Sequence, residues 1–322
     1  MGGGSSGGPR VRVRVPSKVN LFLAVRGLRP DGYHELVTVL QTVSIHDTVL
    51  ARLDGSVASA HPAARRFMDL AFTQEAGPDV PPGSDNLAVR AARQLMGLVG
   101  VGTAHRDGEA AVPVTRLHLT KRIPVAAGMA GGSADAAATL LALNHLWGTD
   151  LAREELRDLA AELGADVPFC VTGGTALATG TGTATAQVLC RGSYHWVVGI
   201  SGEPLSTPSV YRAFDEVGTP SEAEPDAVLQ ALRTGDAEAL GAALHNDLET
   251  AAFSLRPELR DARDAFLERG ALGALVSGSG PTVVGLAESA QHATELAGRM
   301  QDAFDRVEVA LSPAGGPEVA VD

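Results

Sequence analysis

The sequence predicts an α+β protein of two domains. Three observations carry that expectation. Apolar residues alternate with polar ones in runs such as Arg-Val-Arg-Val-Arg-Val from residue 10, the period of a half-buried strand. Ala/Leu-rich stretches such as 134–147 are strong helix formers. These two kinds of segment follow one another irregularly along 322 residues, a length beyond the usual limit for one hydrophobic core and without the regular alternation of a doubly wound sheet.

Taken in order, residues 1–9 are Gly/Ser-rich, lack the apolar centre of a signal peptide and are expected to be a flexible leader. The strand at 10–16 carries three arginines on its polar side, which read as a solvated face. A second strand follows in Pro-Ser-Lys-Val-Asn-Leu-Phe-Leu at 16–23. A lysine in so apolar a strand is costly unless it meets an anion or lies at an exposed end. Arg-Pro-Asp-Gly at 29–32 is a turn, and Tyr33 and His34 follow it into the apolar run 35–44. That pair reads either as a stack for a flat heterocycle or as a packed tyrosine beside a surface histidine.

Residues 54–83 are rich in Ala, Pro and Gly, broken by a short strand at 67–72. Ser-Asp-Asn-Leu at 84–87 caps a helix running to about 99, and 100–113 is a loop into a strand over 115–123. Then comes Pro-Val-Ala-Ala-Gly-Met-Ala-Gly-Gly-Ser-Ala-Asp at 124–135, a loop of small residues between that strand and the helix 134–147. Ser133 occupies the expected N-cap, and Gly148 ends the helix. Such a helix start offers unpaired N–H groups and the positive end of the macrodipole, a setting that suits phosphate. It is neither a Walker A loop nor a Rossmann fingerprint, since its glycines fall at 128, 131 and 132.

A helix over 153–163 ends at Gly164, and Asp166 sits just beyond it, either as a structural acceptor or as a catalytic carboxylate. A Gly/Thr-rich stretch at 173–182 leads to a strand at 195–200 and a helix opened by Thr207 and carrying Tyr211. Helices at 226–233, 237–244, 257–270 and 291–304, strands at 283–286 and 306–311 and a tail complete the pattern. Ser-Gly-Ser-Gly at 277–280 is a second Gly/Ser loop able to form a concavity of backbone amides.

Composition excludes several classes. The net charge of −12 argues against a sequence-independent nucleic-acid binder, and no run of eighteen apolar residues suggests a membrane span. The two cysteines, Cys170 and Cys190, are too few for a disulfide framework and read as reduced thiols of a cytoplasmic protein.

Three of these motifs together resemble those of the GHMP kinase superfamily: the lysine strand at 16–23, the loop at 124–137 and Ser-Gly-Ser-Gly-Pro-Thr at 277–282. Arg-Pro-Asp-Gly-Tyr-His at 29–34, Asp-Asn-Leu at 85–87 and Leu-Gly-Ala-Asp-Val-Pro at 163–168 are similar to the branch whose acceptor carries a cytidine diphosphate. The resemblance implies an N-terminal ATP-binding domain of the ribosomal-protein-S5-domain-2-like type at 10–170. It implies a ferredoxin-like C-terminal domain at 171–313, with a tail at 314–322. It also implies ATP and Mg²⁺ as cofactors, a small cytidylyl substrate and a monomer or homodimer. The reaction implied is phosphorylation of the 2-hydroxyl of a cytidylyl-methylerythritol in the non-mevalonate isoprenoid pathway.

By that resemblance Lys18 and Asp166 match catalytic positions. Asn86, Lys121 and the loop residues Pro124, Val125, Ala126, Ala127, Gly128, Met129, Ala130, Gly131, Gly132, Ser133 and Ala134 match nucleotide positions. Asn20, Tyr33, His34, Asp166, Thr207 and Tyr211 match substrate positions, and Ser133 is a candidate Mg²⁺ ligand. Where relatives often carry glycine this loop has Ala126, Ala127 and Ala130, which are expected to keep helical or extended angles. An acidic protein with anionic substrates must localise positive charge, so a cleft lined by Lys18, Lys121 and helix N-termini is expected. The alternatives are a homoserine- or mevalonate-type kinase, or a non-catalytic nucleotide-binding protein. An RNA-binding module is disfavoured by the charge.

Overall fold

The computed structural model describes residues 8–54, 69–75, 80–81, 83–99 and 114–322. The chain opens with two long antiparallel strands, β1 (Arg10–Leu28) and β2 (His34–Asp54), followed by β3 (Asp69–Glu75). The strands expected at 10–16 and 16–23 are one, bent by register shifts after Pro16, Asn20 and Val25. Such bulges absorb an extra residue while the ladder continues, and a proline without an N–H is tolerated at one. Residues 10–15 of β1 alternate between exposed and buried, so the arginines are solvated as expected; from Val15 to Ala24 both faces are covered.

Next come α1 (Leu87–Leu98), β4 (Val114–Thr120), α2 (Gly131–Trp147), α3 (Arg153–Ala161) and α4 (Val167–Thr172). The short strand expected at 67–72 lies partly outside the described residues, and its described part begins β3 at Asp69. The loop expected at 100–113 lies outside them altogether. Thirteen of the 17 residues of α2 are buried, so this helix is covered on nearly every side and works as the central rod of the first layer. It begins three residues earlier than expected. Ala130, not Ser133, is the residue before the helix, with φ 57° and no side-chain cap, and Ser133 is the helix's third residue. The loop's left-handed backbone ends at Ala130, which leaves Ser133 already inside the helical turn.

The chain continues through β5 (Thr175–Gly180), β6 (Ala184–Gln187), β7 (Tyr194–Ile200), α5 (Thr207–Val217), α6 (Asp226–Thr234) and α7 (Ala237–Ala243). It ends through β8 (His245–Asn246), α8 (Glu249–Leu255), α9 (Glu258–Glu268), β9 (Gly273–Val276), β10 (Val283–Ala287), α10 (Ala290–Arg299), β11 (Arg306–Ser312) and β12 (Glu318–Val321).

Among the described residues the first sheet runs β12-β1-β2-β4-β3, with β5 on β2, β6 on β5 and β8 on β1. The second runs β11-β7-β10-β9. Two expectations change. The Gly/Thr-rich stretch beyond residue 170 supplies β5 and β6 to the first sheet rather than opening a second unit. The stretch at 314–322, expected as a tail, ends in β12, which pairs with Val11–Arg14 of β1. All four β12 residues are exposed, so no alternation of apolar and polar residues marks it in the sequence. The helix expected at 291–304 also stops earlier, at Arg299.

Candidate active site

The small-residue loop before α2 is shaped by alternate left-handed residues, with Ala126 at φ 49°, Gly128 at 72° and Ala130 at 57°. Alanine was expected to stay at helical or extended angles, so Ala126 and Ala130 correct that expectation. A left-handed alanine costs roughly 1–2 kcal/mol because Cβ crowds the following carbonyl. The first helical bond runs from Ala134 N–H to Ala130 C=O, so the N–H groups of Gly131, Gly132 and Ser133 precede the ladder. Gly132 is exposed and Ser133 half-buried, which leaves this end of α2 open.

The loop is held from the other half of the chain. A Cβ on Gly128 would stand 2.0 Å from the Ser277 carbonyl oxygen and 3.1 Å from Gly280 N, so only glycine fits. Ser277 Oγ donates to the Gly128 carbonyl at 3.3 Å. Asn246 Nδ2 donates to the carbonyls of Val276 at 2.7 Å and Gly278 at 2.8 Å, which fixes the second Gly/Ser loop to β8.

Lys18 projects from the buried middle of β1, and Asp166 precedes α4. Their charged atoms lie 3.5 Å apart, with the lysine side chain 5% and the aspartate 35% exposed. Lys18 Nζ also donates to Asn20 Oδ1 at 2.7 Å; Asn20 Nδ2 donates to Thr38 Oγ1 at 2.9 Å, and that hydroxyl donates to the Phe22 carbonyl at 2.6 Å. This relay orients the ammonium from behind and occupies both polar atoms of Asn20. A Cβ on Gly278 would lie 3.5 Å from Lys18 Nζ, so the second Gly/Ser loop adjoins the lysine.

Burial, and then the Asp166 charge, push the Tyr211 hydroxyl up. The Cys170 thiol is likewise pushed up, by burial first and Asp166 second. It is a free, buried packing thiol.

Tyr211 stacks on His34 at 4.9 Å between ring centres with 27° between planes, and Phe214 meets His34 edge-on at 6.1 Å. His34 Nε2 is 2.8 Å from Asp215 Oδ1. Tyr33 is 67% exposed at the rim. Thr207, at the start of α5, shares a hydrogen bond with Ser279 Oγ at 2.9 Å.

Lys121 departs from the expected open cleft. Its side chain is 6% exposed, bonded to Asp47 and, at 2.8 Å, to Asp135. Asp47 Oδ1 in turn accepts from the N–H groups of Arg122 and Ile123. Burial alone would lower the Lys121 pKa, but the charges of Asp135 and Asp47 outweigh it and raise it. Burial, opposed by Lys121 and reinforced by Asp47, holds Asp135 well above the usual carboxylate range. Asn86 is likewise engaged: its Oδ1 accepts from Ala88 N–H to cap α1, and its Nδ2 donates to the Pro81 carbonyl.

Lys18, Asp166, the loop, Tyr211, His34 and Thr207 thus form one neighbourhood, whereas Lys121 and Asn86 brace the elements around it. Sequence reasoning missed Asp215, Asn246 and Thr38. Asp215 stands four residues after Tyr211, one turn along the same helix, which is the one local signal available for it.

The family described as GHMP kinases N terminal domain matches residues 86–174, and the GHMP kinases C terminal family matches 228–306. The chain is 47% identical over 315 residues to a 4-diphosphocytidyl-2-C-methyl-D-erythritol kinase of Streptomyces coelicolor, covering 96% of this chain and 99% of that one. It is 45% identical over 316 residues to the like-named protein of Salinispora arenicola, covering 96% and 94%. A solved 4-(cytidine 5'-diphospho)-2C-methyl-D-erythritol kinase superposes with a TM-score of 0.74 at 35% identity, over 95% of this chain and 99% of that one. A homoserine kinase from Cytophaga hutchinsonii, at 19% identity and a TM-score of 0.71 over 99% and 100% of the two chains, shares the fold.

Proposed function

The chain belongs to the 4-diphosphocytidyl-2-C-methyl-D-erythritol kinases of the GHMP kinase family, and on that premise we propose that it phosphorylates the 2-hydroxyl of 4-(cytidine 5'-diphospho)-2-C-methyl-D-erythritol in the non-mevalonate isoprenoid pathway. It is an ATP-dependent small-molecule kinase. The observation that carries the finer reading is the 3.5 Å Lys18–Asp166 pair set against the loop at the start of α2.

In this reading the N–H groups of Gly131, Gly132 and Ser133, with the dipole of α2, hold the β- and γ-phosphates of ATP. Asp166 accepts the proton of the attacking hydroxyl, or orients it, as the new O–P bond forms and ADP leaves. Lys18 offsets the charge gathered between that carboxylate and the phosphoryl group. Its relay through Asn20 and Thr38 keeps the ammonium aimed, so catalysis is mostly positioning and charge stabilisation. Tyr33, His34 and Tyr211 take the cytosine ring. Asp215 holds the His34 ring and fixes which of its nitrogens faces the base.

Among the described residues no group of three or more His, Cys, Asp and Glu is arranged to hold a metal. The half-buried Ser133 hydroxyl at the open start of α2 is the oxygen donor that would hold Mg²⁺, an ion otherwise carried by phosphate oxygens and water. When bound, Mg²⁺ neutralises charge on the phosphates.

A phosphate-transfer assay with a panel of alcohols, with and without the cytidine diphosphate group, tests the proposal. Transfer confined to the cytidylyl acceptor supports it. Preference for homoserine or mevalonate, with no inhibition by cytidine nucleotides, replaces it with a sister activity.

A further inference from the structure

A second basic cleft is built from residues outside the catalytic pair. We propose that the cleft lined by Arg12, Arg14, Arg122 and Arg306 binds a small polyphosphate anion, free or as the phosphate tail of a nucleotide. The inference stands apart from the acceptor assignment, because it uses none of the residues placed in the reaction.

Strand periodicity builds the site. Arg12 and Arg14 project from the same face of β1, and the register sets Arg14 opposite Thr48 of β2 and Thr48 opposite Thr120 of β4. Arg122 follows two residues after Thr120. Arg306 of β11 comes from the second sheet, and its Nη2 donates to the Arg122 carbonyl at 3.4 Å. Leu311 N–H donates to Ser44 Oγ at 2.8 Å, which ties the same two sheets together along this seam. The result is a cleft of about 510 Å³ also lined by His46, Thr48, Thr120 and Glu308, within the range of small-molecule sites.

Charge decides what it takes. On a chain of net charge −12, four guanidiniums share one concavity. Arg14 meets Glu318 at 3.4 Å and Arg306 pairs with Glu308. Arg12 and Arg122 have no carboxylate within salt-bridge distance among the described residues, so about two positive charges are unbalanced. Two planar forks in a concave site suit phosphate oxygens, which accept paired N–H bonds. The Thr48 and Thr120 hydroxyls add neutral donors.

A cleft of this size between the two sheets fits a compact anion rather than a duplex, whose binding would need an extended basic face. His46 adds a reporter. Its Nδ1 lies 3.1 Å from Arg14 Nη2, and burial first, then the Arg14 charge, lower its pKa, with a hydrogen bond to the Ser44 backbone, Glu318 and Asp47 acting the other way.

The test is titration of the full-length protein with inorganic pyrophosphate, its catalytic site first saturated with a non-hydrolysable ATP analogue. Saturable binding is expected, with the His46 proton resonance titrating at higher pH once the anion is bound. Arg12→Gln/Arg122→Gln should weaken that binding at least ~10-fold at unchanged kcat and KM, as the loss of two charge-assisted contacts implies. Thr48→Glu, which sets a carboxylate in the cleft, should do the same by repulsion. A parallel titration with ADP separates the sources: tighter binding than pyrophosphate assigns a nucleotide tail, and equal or weaker binding assigns the free anion. Absence of pyrophosphate binding with the catalytic site filled, a His46 resonance that does not move, or binding indifferent to both variants overturns the site.

Discussion

Two lysines face aspartates in this protein, and the proposed mechanism gives them opposite jobs. Lys121 is enclosed by Asp47 and Asp135, whose side chains are 0% and 4% exposed, and its bonds are used in holding β2, the approach to the loop and α2 together. Lys18 meets Asp166 at 3.5 Å, and that carboxylate is 35% exposed. Asp47 spends both oxygens on Lys121 and on the N–H groups of Arg122 and Ile123, and the one oxygen Asp135 keeps without a partner, Oδ1, is buried away from any approaching ligand. The pair at the surface of the cleft keeps an unspent carboxylate beside an anchored ammonium. The contrast teaches that a lysine in an apolar strand reveals burial, while the exposure of its partner decides between scaffold and chemistry.

The sharpest way to break the comparison is to remove each partner. Asp166→Ala or Lys18→Ala should lower kcat by at least ~10²-fold with an unchanged melting temperature; near-normal turnover by purified Asp166→Ala would take that carboxylate out of the mechanism. Lys121→Met should act the other way round, costing about 3–5 kcal/mol of stability because two buried carboxylates lose their counter-charge. Denaturant melts check it, and a stability loss no larger than that of Lys18→Ala would erase the distinction.

The two roles also part with pH. The folded-state pKa of Lys121 is raised above its ordinary value near 10.5, so its stabilisation is full below that value and is lost as pH climbs through the folded value. Lys121→Met should lack this alkaline loss in pH-dependent melts.

Smaller effects sharpen the picture at the rim and in the loop. Tyr33→Ala should raise KM for the cytidylyl acceptor several-fold more than KM for ATP, since a lost stacking contact is worth about 1 kcal/mol; equal changes would count against a base-stacking role. Ala130→Gly should gain up to about 1 kcal/mol of stability, because glycine takes φ 57° without the Cβ clash. A loss on thermal denaturation would mean the methyl packs usefully.

The sequence made the elements legible wherever local chemistry decides them. Asn86 caps α1 and Gly148 closes α2 as expected, since each acts on neighbours a few residues away. Ser133 misled because a capping residue type stood inside a helix whose start was set by left-handed alanines. β12 carries no burial pattern, and β5 is held by pairing with β2 across more than a hundred residues of chain. At the site, motif residues Lys18 and Asp166 meet, but the role of Lys121 depended on Asp47, 74 positions away. Asp215 reaches His34 across 181 positions, a relation no local pattern encodes.

The contact of Gly128 with Ser277 carries a last consequence. The loop before α2 and the second Gly/Ser loop lie 149 positions apart in the chain, and the two touch where a single methyl group would pry them apart. Residue 128 is therefore a single position at which the docking of these two distant loops can be lost with both lysine–aspartate pairs left in place.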